Sequence, residues 1–428
     1  MMTPAVRSFA TIVKDGEWPL AAALADGLRA HHPGSVLHVL HVGDVRTRED
    51  PLAGIVYSPL DAGLTLEKVR LLQLTAADEA MRIALAPAFV AFLLQRNDRR
   101  GVLYLSPDTM VVAPLPPLPG SGLGMTARFL TPPPDDNRTP TAEDLLTMSV
   151  FDDGFLSAGP DSAHALAAIS SSIDTRVITT DGMIARSWDL MGAHAATAVI
   201  AEPGLGVAFW NAHERRGRII TLRLPGLDPT QAHLLSRDQG PHPRVLLSER
   251  ADLKDHVDTQ SRELARHGLK GPPEQARIGA LSIDDAVRAA CQDAVRTGNI
   301  TTEALIELAS DDTGQALEAW LAAPAPDARD PRISRYLLGV WRCDDHATAA
   351  FPYPTDLHAD QFVDWVRDAR ETLSIPARFM PRSAAQGQHS ALSIPSDTPQ
   401  PGVNLIGFLR AGFGQGEAAR LMHEAMLE

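Results

Sequence analysis

The 428-residue chain is 44% hydrophobic and 21% charged, the composition of a soluble globular protein too long for one compact core, and about two or three domains are expected. Its formal net charge of -14, with no concentration of Lys and Arg anywhere, argues against nucleic acid as a partner. Cys291 and Cys343 stand far apart without a CxxC spacing, so neither a disulfide framework nor a zinc site is indicated and a reducing, cytoplasmic setting fits. No export signal is read in MMTPAVRSFATIVKDGE, and the longest apolar stretch, Ile83 to Leu94, is roughly half the ~20 residues a membrane helix needs and contains Pro87. It is predicted to be a core helix.

In chain order, the first 225 residues alternate short β-type runs with helical patterns, as in an α/β domain with a largely parallel sheet. Phe9 to Val13 is predicted as a first strand ending at Lys14-Asp15-Gly16, Trp18 to His31 as a helix stopped by Pro33-Gly34, and Val36 to Val42 as a second strand. In such a βαβ unit, nucleotides dock at the loop after the first strand. Gly101 to Leu105 reads as a third strand, followed by Ser106-Pro107-Asp108 and by extended structure at Val111 and Val112. The stretch from Thr131 to Thr141 holds three successive prolines and is predicted as a surface loop, an active-site flap or a plain connection. From Leu246 to Trp365 the pattern turns helical, most clearly at Ser282 to Arg296, Thr302 to Ala309 and Thr313 to Ala322. Residues 381–401 have the Ser, Pro and Gln content of a linker, and 402–428 read as strand, glycine-rich turn and helix, the opening of a further α/β domain. One βα unit cannot bury its own apolar faces, so the sequence reads as the front of a longer protein.

The segment VLYLSPDTMVVAPL at Val102 to Leu115 resembles the VLYLDPDIVVLSPL segment of bacterial GT-A glycosyltransferases related to family 8. The likeness extends through residues 9–44, DGFLSA at 153–158 and PGLGVAFWNAHER at 203–215. ISRYLLGVWRCDDHATAAFPYP at 333–354 is similar to the helical region of multidomain relatives, and GVNLIGFLRAGFGQGEAAR at 402–420 to the start of a GT-B domain. The resemblance implies a GT-A domain over 1–240, a Rossmann-like mixed sheet, then a helical domain over 241–380, a linker over 381–401 and a truncated GT-B domain over 402–428. It implies transfer of a sugar from a nucleotide-sugar donor to a saccharide or glycolipid acceptor in bacterial surface polysaccharide assembly, in the cytoplasm or at the inner face of the membrane.

GT-A chemistry must stabilise the negative charge that grows on a leaving diphosphate, usually with a divalent ion held by a DxD pair and a distant His. Here the DxD position reads Ser106-Pro107-Asp108, and the position of the His reads Arg223. A guanidinium cannot ligate a metal ion but can pair with a diphosphate, so no metal is expected and Mn or Mg would bind weakly at most. Asp153-Gly154 stands where relatives carry an Asn on a strand facing the sugar, and Trp210-Asn211 with His213 matches their YWNLH element. Where relatives have Asp-Gln before a Trp, this chain has Ala185-Arg186-Ser187-Trp188, with Asp181 or Asp189 as possible substitutes. The resemblance thus nominates Asp153 and Asp189 as catalytic, and Asp15, Ser106, Asp108, Gly154, Asn211, His213 and Arg223 as donor-binding. Local roles compete with these: Asp108 as a turn cap, Trp210 as packing, His213 as a solvated histidine. The altered ligand positions leave two readings, a metal-independent glycosyltransferase or an inactive module that supports a downstream GT-B domain.

Overall fold

A computed structural model describes residues 8–381 apart from 44–53, 97–100, 142–143, 145–148, 173–183, 185, 229, 231–232, 241, 270, 272–274 and 327. The apolar runs of the first 42 residues produce a parallel pair, β1 (Ser8–Lys14) and β2 (Val36–Val42), in register from Ser8 opposite Val36 to Lys14 opposite Val42. Six of the seven residues in each strand are buried, as befits a parallel sheet covered on both faces. α1 (Trp18–His31), with Pro19 in its first turn, makes the crossover.

β3 (Ile55–Tyr57) adds to β2, and two helices follow, α2 (Leu66–Thr75) and α3 (Asp78–Arg96). The α3 sequence is apolar nearly all round and is buried on most sides, despite Pro87 in its interior. A proline there cannot donate to the carbonyl four residues back, and the Ile83 carbonyl instead accepts the indole N–H of Trp188 at 3.1 Å. That indole side chain is fully buried in the same core.

β4 (Val102–Leu105) lies parallel to β1 on the side away from β2. Beyond it come β5 (Thr109–Val111), β6 (Leu123–Ala127), β7 (Phe151–Ala158), α4 (Ala163–Ser172), α5 (Ser187–His194), β8 (Thr197–Ile200) and β9 (Thr221–Arg223). The seven-stranded sheet runs β3-β2-β1-β4-β7-β6-β8, with β7 antiparallel to both neighbours, while β5 and β9 form a separate antiparallel pair. The sheet is therefore mixed, as expected, and largely parallel, with β7 its reversed strand.

α6 (Ala251–Arg266), a two-residue hairpin of β10 (Arg277–Ile278) and β11 (Leu281–Ser282), and six helices complete the described chain. These are α7 (Asp285–Arg296), α8 (Thr302–Ala309), α9 (Gln315–Ala322), α10 (Arg335–Cys343), α11 (Asp345–Ala350) and α12 (Ala359–Asp368). Side chains of Asp284, Thr301 and Ser334 accept the backbone N–H groups that start α7, α8 and α10. Ser282, predicted within the first of these helices, belongs to β11. α2 serves two cores: its Val69 and Leu72 pack under the sheet, whereas Leu71 and Leu74 join the core of the later helices. Arg70 reinforces this contact by donating to the Ala309 carbonyl and, at 2.9 Å, to Asp312. The predicted linker beyond Pro381 and the segment 402–428 lie outside the described residues.

Candidate functional site

Chain order and sheet order diverge between β1 and β4: from β1 the chain moves to β2 on one side, and β4 is laid on the other. The crevice beyond the carboxyl ends of such strands is where open α/β sheets place ligands. Asp15 follows β1, Ser106 and Asp108 follow β4, and the antiparallel β7 brings its first residues, Asp152 to Gly154, to the same edge. The β6–β7 register breaks between Met125 and Ala127, so Asp152 and Asp153 sit in an irregular stretch, where strand alternation no longer sends them to opposite faces. β9 sets Arg223 opposite Thr109, beside Asp108, and the first turn of α3 supplies Glu79.

These groups meet around one guanidinium. Arg223 Nε donates to Asp108 Oδ1 at 3.4 Å, and Nη2 to Asp108 Oδ2 at 3.2 Å and Glu79 Oε1 at 3.0 Å. Nη1 donates at 2.6 Å to Asp152 Oδ1 and at 2.6 Å to Asp153 Oδ1. A guanidinium has five N–H donors, and five carboxylate oxygens accept them. The Arg223 side chain is 2% exposed. Arg223 thus faces inward, with its N–H donors engaged by carboxylates.

Two further features fit this arrangement. A β-carbon on Gly154 would stand 2.5 Å from Arg223 Cζ and 2.6 Å from Cδ, so only glycine leaves room for the side chain. The indole of Trp210 lies 5.4 Å from Arg223 Cζ and 4.7 Å from Arg128 Cζ, carrying both cations on its ring. Arg128 Nη2 donates to Asp153 Oδ2 at 2.6 Å, so both oxygens of Asp153 are engaged.

Four carboxyl groups thus share two guanidinium ions. Burial alone would raise the pKa of Asp153, but Arg128 and Arg223 outweigh it and hold it at about 2. Glu79 bears the excess negative charge: Asp153 first, then desolvation, push it up to about 7. Its side chain keeps 43% exposure, so water screens part of that repulsion. Alongside runs a second ionic chain, in which Arg82 binds Glu17 at 2.9 Å and Asp78 bridges Lys14 and Arg288. The first turn of α3 thereby presents acids to cations, as its dipole favours.

The remaining candidates are distributed unevenly. Ser106 is 2% exposed, and its N–H donates to the Gly154 carbonyl at 3.0 Å. Asp15 is half exposed, with Oδ1 2.8 Å from His41 Nε2. Asn211 is fully buried; Oδ1 accepts from Ala208 N, and Nδ2 donates to the carbonyls of Arg128 and Gly206, a role that braces the backbone. Asp189 lies apart from the cluster and accepts from Ser149 Oγ at 2.7 Å and Val150 N at 3.0 Å. Asp181 and Ala185 fall outside the described residues. His213 is half-buried, both ring nitrogens lack a hydrogen-bond partner, and burial followed by the nearby Arg244 lowers its pKa. Around it the proline-rich loop is fastened: Glu214 accepts from the N–H groups of Leu130 and Thr131, and Arg244 reaches Asp136 and the carbonyls of Pro134, Arg138 and Pro140. Glu79, Asp152 and Arg128 had not been anticipated; the adjacent pair Asp152-Asp153 before an apolar strand was the available signal.

The resemblance noted in the sequence implies a divalent ion here, and the residues present do not fit one. A fixed guanidinium occupies the middle of the carboxylates, both oxygens of Asp108 and of Asp153 are taken, and within the cluster of aspartates Asp152 Oδ2 alone has no partner. A second cation would have to enter against the charge of Arg223 at short range. No protein-family model matches the chain, and no curated protein matches its sequence. Among solved structures, a galactosyltransferase, LgtC, in complex with donor and acceptor sugar analogues, is similar at 13% identity over 59% of this chain and 95% of that one, with a TM-score of 0.36. The α/β architecture described above rests on the observed sheet and not on that remote likeness.

Proposed function

We propose that residues 1–240 form a GT-A-like module whose metal position is filled by its own arginine, and that the module supports sugar transfer carried out elsewhere in a larger glycosyltransferase instead of catalysing it. The observation that carries this reading is the saturation of Arg223 by five carboxylate oxygens. A centre that stabilises a leaving diphosphate needs cationic charge free to meet it; here the positive charge is spent on aspartates and a glutamate. The nominated catalytic Asp153 is held by two guanidinium ions, which removes its basicity and its freedom to contact a sugar hydroxyl. The segment 402–428 is read as the start of the GT-B domain that would do the chemistry on a nucleotide sugar and a saccharide or glycolipid acceptor. Among the described residues no helix is long and apolar enough to cross a membrane.

The test is titration calorimetry of UDP, GDP and their sugars against the protein, with and without manganese, together with an assay for donor hydrolysis. No turnover and no manganese-dependent rise in melting temperature are expected. Turnover of a nucleotide sugar that disappears in Asp153→Asn would overturn the supporting role and restore the metal-independent enzyme.

A further inference from the structure

We propose that the helical region carries a second binding pocket, built on Arg335, for a small molecule that bears a phosphate-type oxyanion on a short apolar body. The pocket, about 250 Å³, opens between α7, α10 and residues 352–355, and its walls include Asn299, Arg335, Trp341, Arg342 and Tyr353. α10 lies directly on the α7 backbone because residue 339 is glycine; a β-carbon there would overlap the Ala286 carbonyl. That close crossing fixes Arg335 and Arg342, about two helical turns apart on α10, along the same cavity.

The two arginines differ in how they are satisfied. Arg342 pairs with Asp293 at 2.7 Å and lies 5.5 Å from the centre of the Trp341 ring. Arg335 donates to the Trp320 carbonyl at 3.0 Å and packs 5.0 Å over that indole, and among the described residues no carboxylate stands within ion-pair distance of it. It is half-buried, and burial lowers its pKa with no acid to offset the effect. In a chain of net charge -14, a half-buried guanidinium left without an anion is an unmet electrostatic demand. The cavity walls hold two Arg against one Asp, an excess of one positive charge, with Asn299 at the rim to add a hydrogen bond.

Size and lining narrow the ligand. Pockets for drug-sized ligands occupy roughly 300–1,000 Å³, so this one takes something smaller than a nucleotide sugar. Trp341, Tyr353 and the prolines beside it offer a flat apolar wall, and a guanidinium with spare N–H donors matches a multi-oxygen anion in two-pronged geometry. The occupant is therefore a phosphorylated small molecule, and inorganic phosphate is its minimal probe.

The experiment is a melting series of the full chain at constant ionic strength in sodium chloride, acetate and phosphate. Phosphate should raise the melting temperature by several degrees over chloride, and acetate by clearly less. Arg335→Gln should melt normally in chloride and lose the phosphate response. Asn299→Asp, which adds a negative charge at an exposed position and leaves Arg335 untouched, should lose it as well. No phosphate response in the native chain, a response in either variant as large as that of the native chain, or an acetate response as large as that of phosphate would each overturn the proposal.

Discussion

Replacing Arg223 by alanine removes the cation around which Asp108, Asp152, Asp153 and Glu79 are gathered. Asp153 would retain Arg128, but Asp108 and Asp152, 6% and 1% exposed, would keep no cation at hydrogen-bonding distance. Deleting one partner of a buried ion pair costs about 3–5 kcal/mol, because the remaining charge stays out of water. At about 2 °C per kcal/mol, the lower end appropriate to a large unit, the melting temperature should fall by about 6–10 °C. The deficit should depend on pH. In the native chain the pKa of Asp153 is depressed to about 2 from 3.8, so its contribution is present above 3.8 and lost as pH falls through 2. The gap between the two proteins should be widest above pH 5 and narrow toward pH 3. Arg223→Lys should recover part of the loss, since an ammonium has three donors where five oxygens wait. Calcium should also recover part of it in Arg223→Ala, because the vacated centre is lined by oxygen ligands, and should leave the native chain unchanged. Differential scanning fluorimetry across pH and calcium reads all of this. An alanine variant that melts within a degree or two of the native chain at pH 7, or a native chain stabilised by calcium, would refute the view that the guanidinium holds the site together.

Two further substitutions probe the same centre. Glu79 rises from 4.5 to about 7 on folding, so the stability linked to its proton is complete below 4.5 and is lost as pH rises through 7. The undiscounted figure is about 3.4 kcal/mol, and halving it for a 43% exposed side chain leaves about 1–2 kcal/mol that Glu79→Gln should remove from the pH 5–8 profile in urea titrations. A variant with the native pH profile would contradict the crowding of charge at Glu79. Gly154→Ala puts a β-carbon against the Arg223 side chain and should lower stability by about 1–3 kcal/mol in the same assay; an unchanged urea midpoint would mean that the arginine does not occupy that space.

The elements legible in the sequence were those whose local signals agree. α1 has helical apolar spacing, a proline in its first turn and Pro33-Gly34 just beyond its end; β1 and β2 are unbroken apolar runs; α8 is capped by Thr301. β7 was expected as a strand only through the resemblance, because its sequence, FDDGFLSA, carries two buried acids that period-2 patterning treats as surface. α2 offered no single face to read, since its apolar residues are divided between two cores. The later helices complete their core with Leu71 and Leu74 of α2, far back in the sequence.

At the site, the sequence did not show what Arg223 would touch. Its partners Glu79 and Asp152 lie 144 and 71 residues away, beyond any local pattern. One local signal was available. Arg223 interrupts the apolar run IITLRL, and β9 is buried at every residue. A histidine in such a run can shed its proton and stay neutral, but an arginine keeps its charge under all ordinary conditions and must be given anions by the rest of the fold. A buried arginine at that place needs anions, and Asp108, Asp152, Asp153 and Glu79 converge on it to supply them.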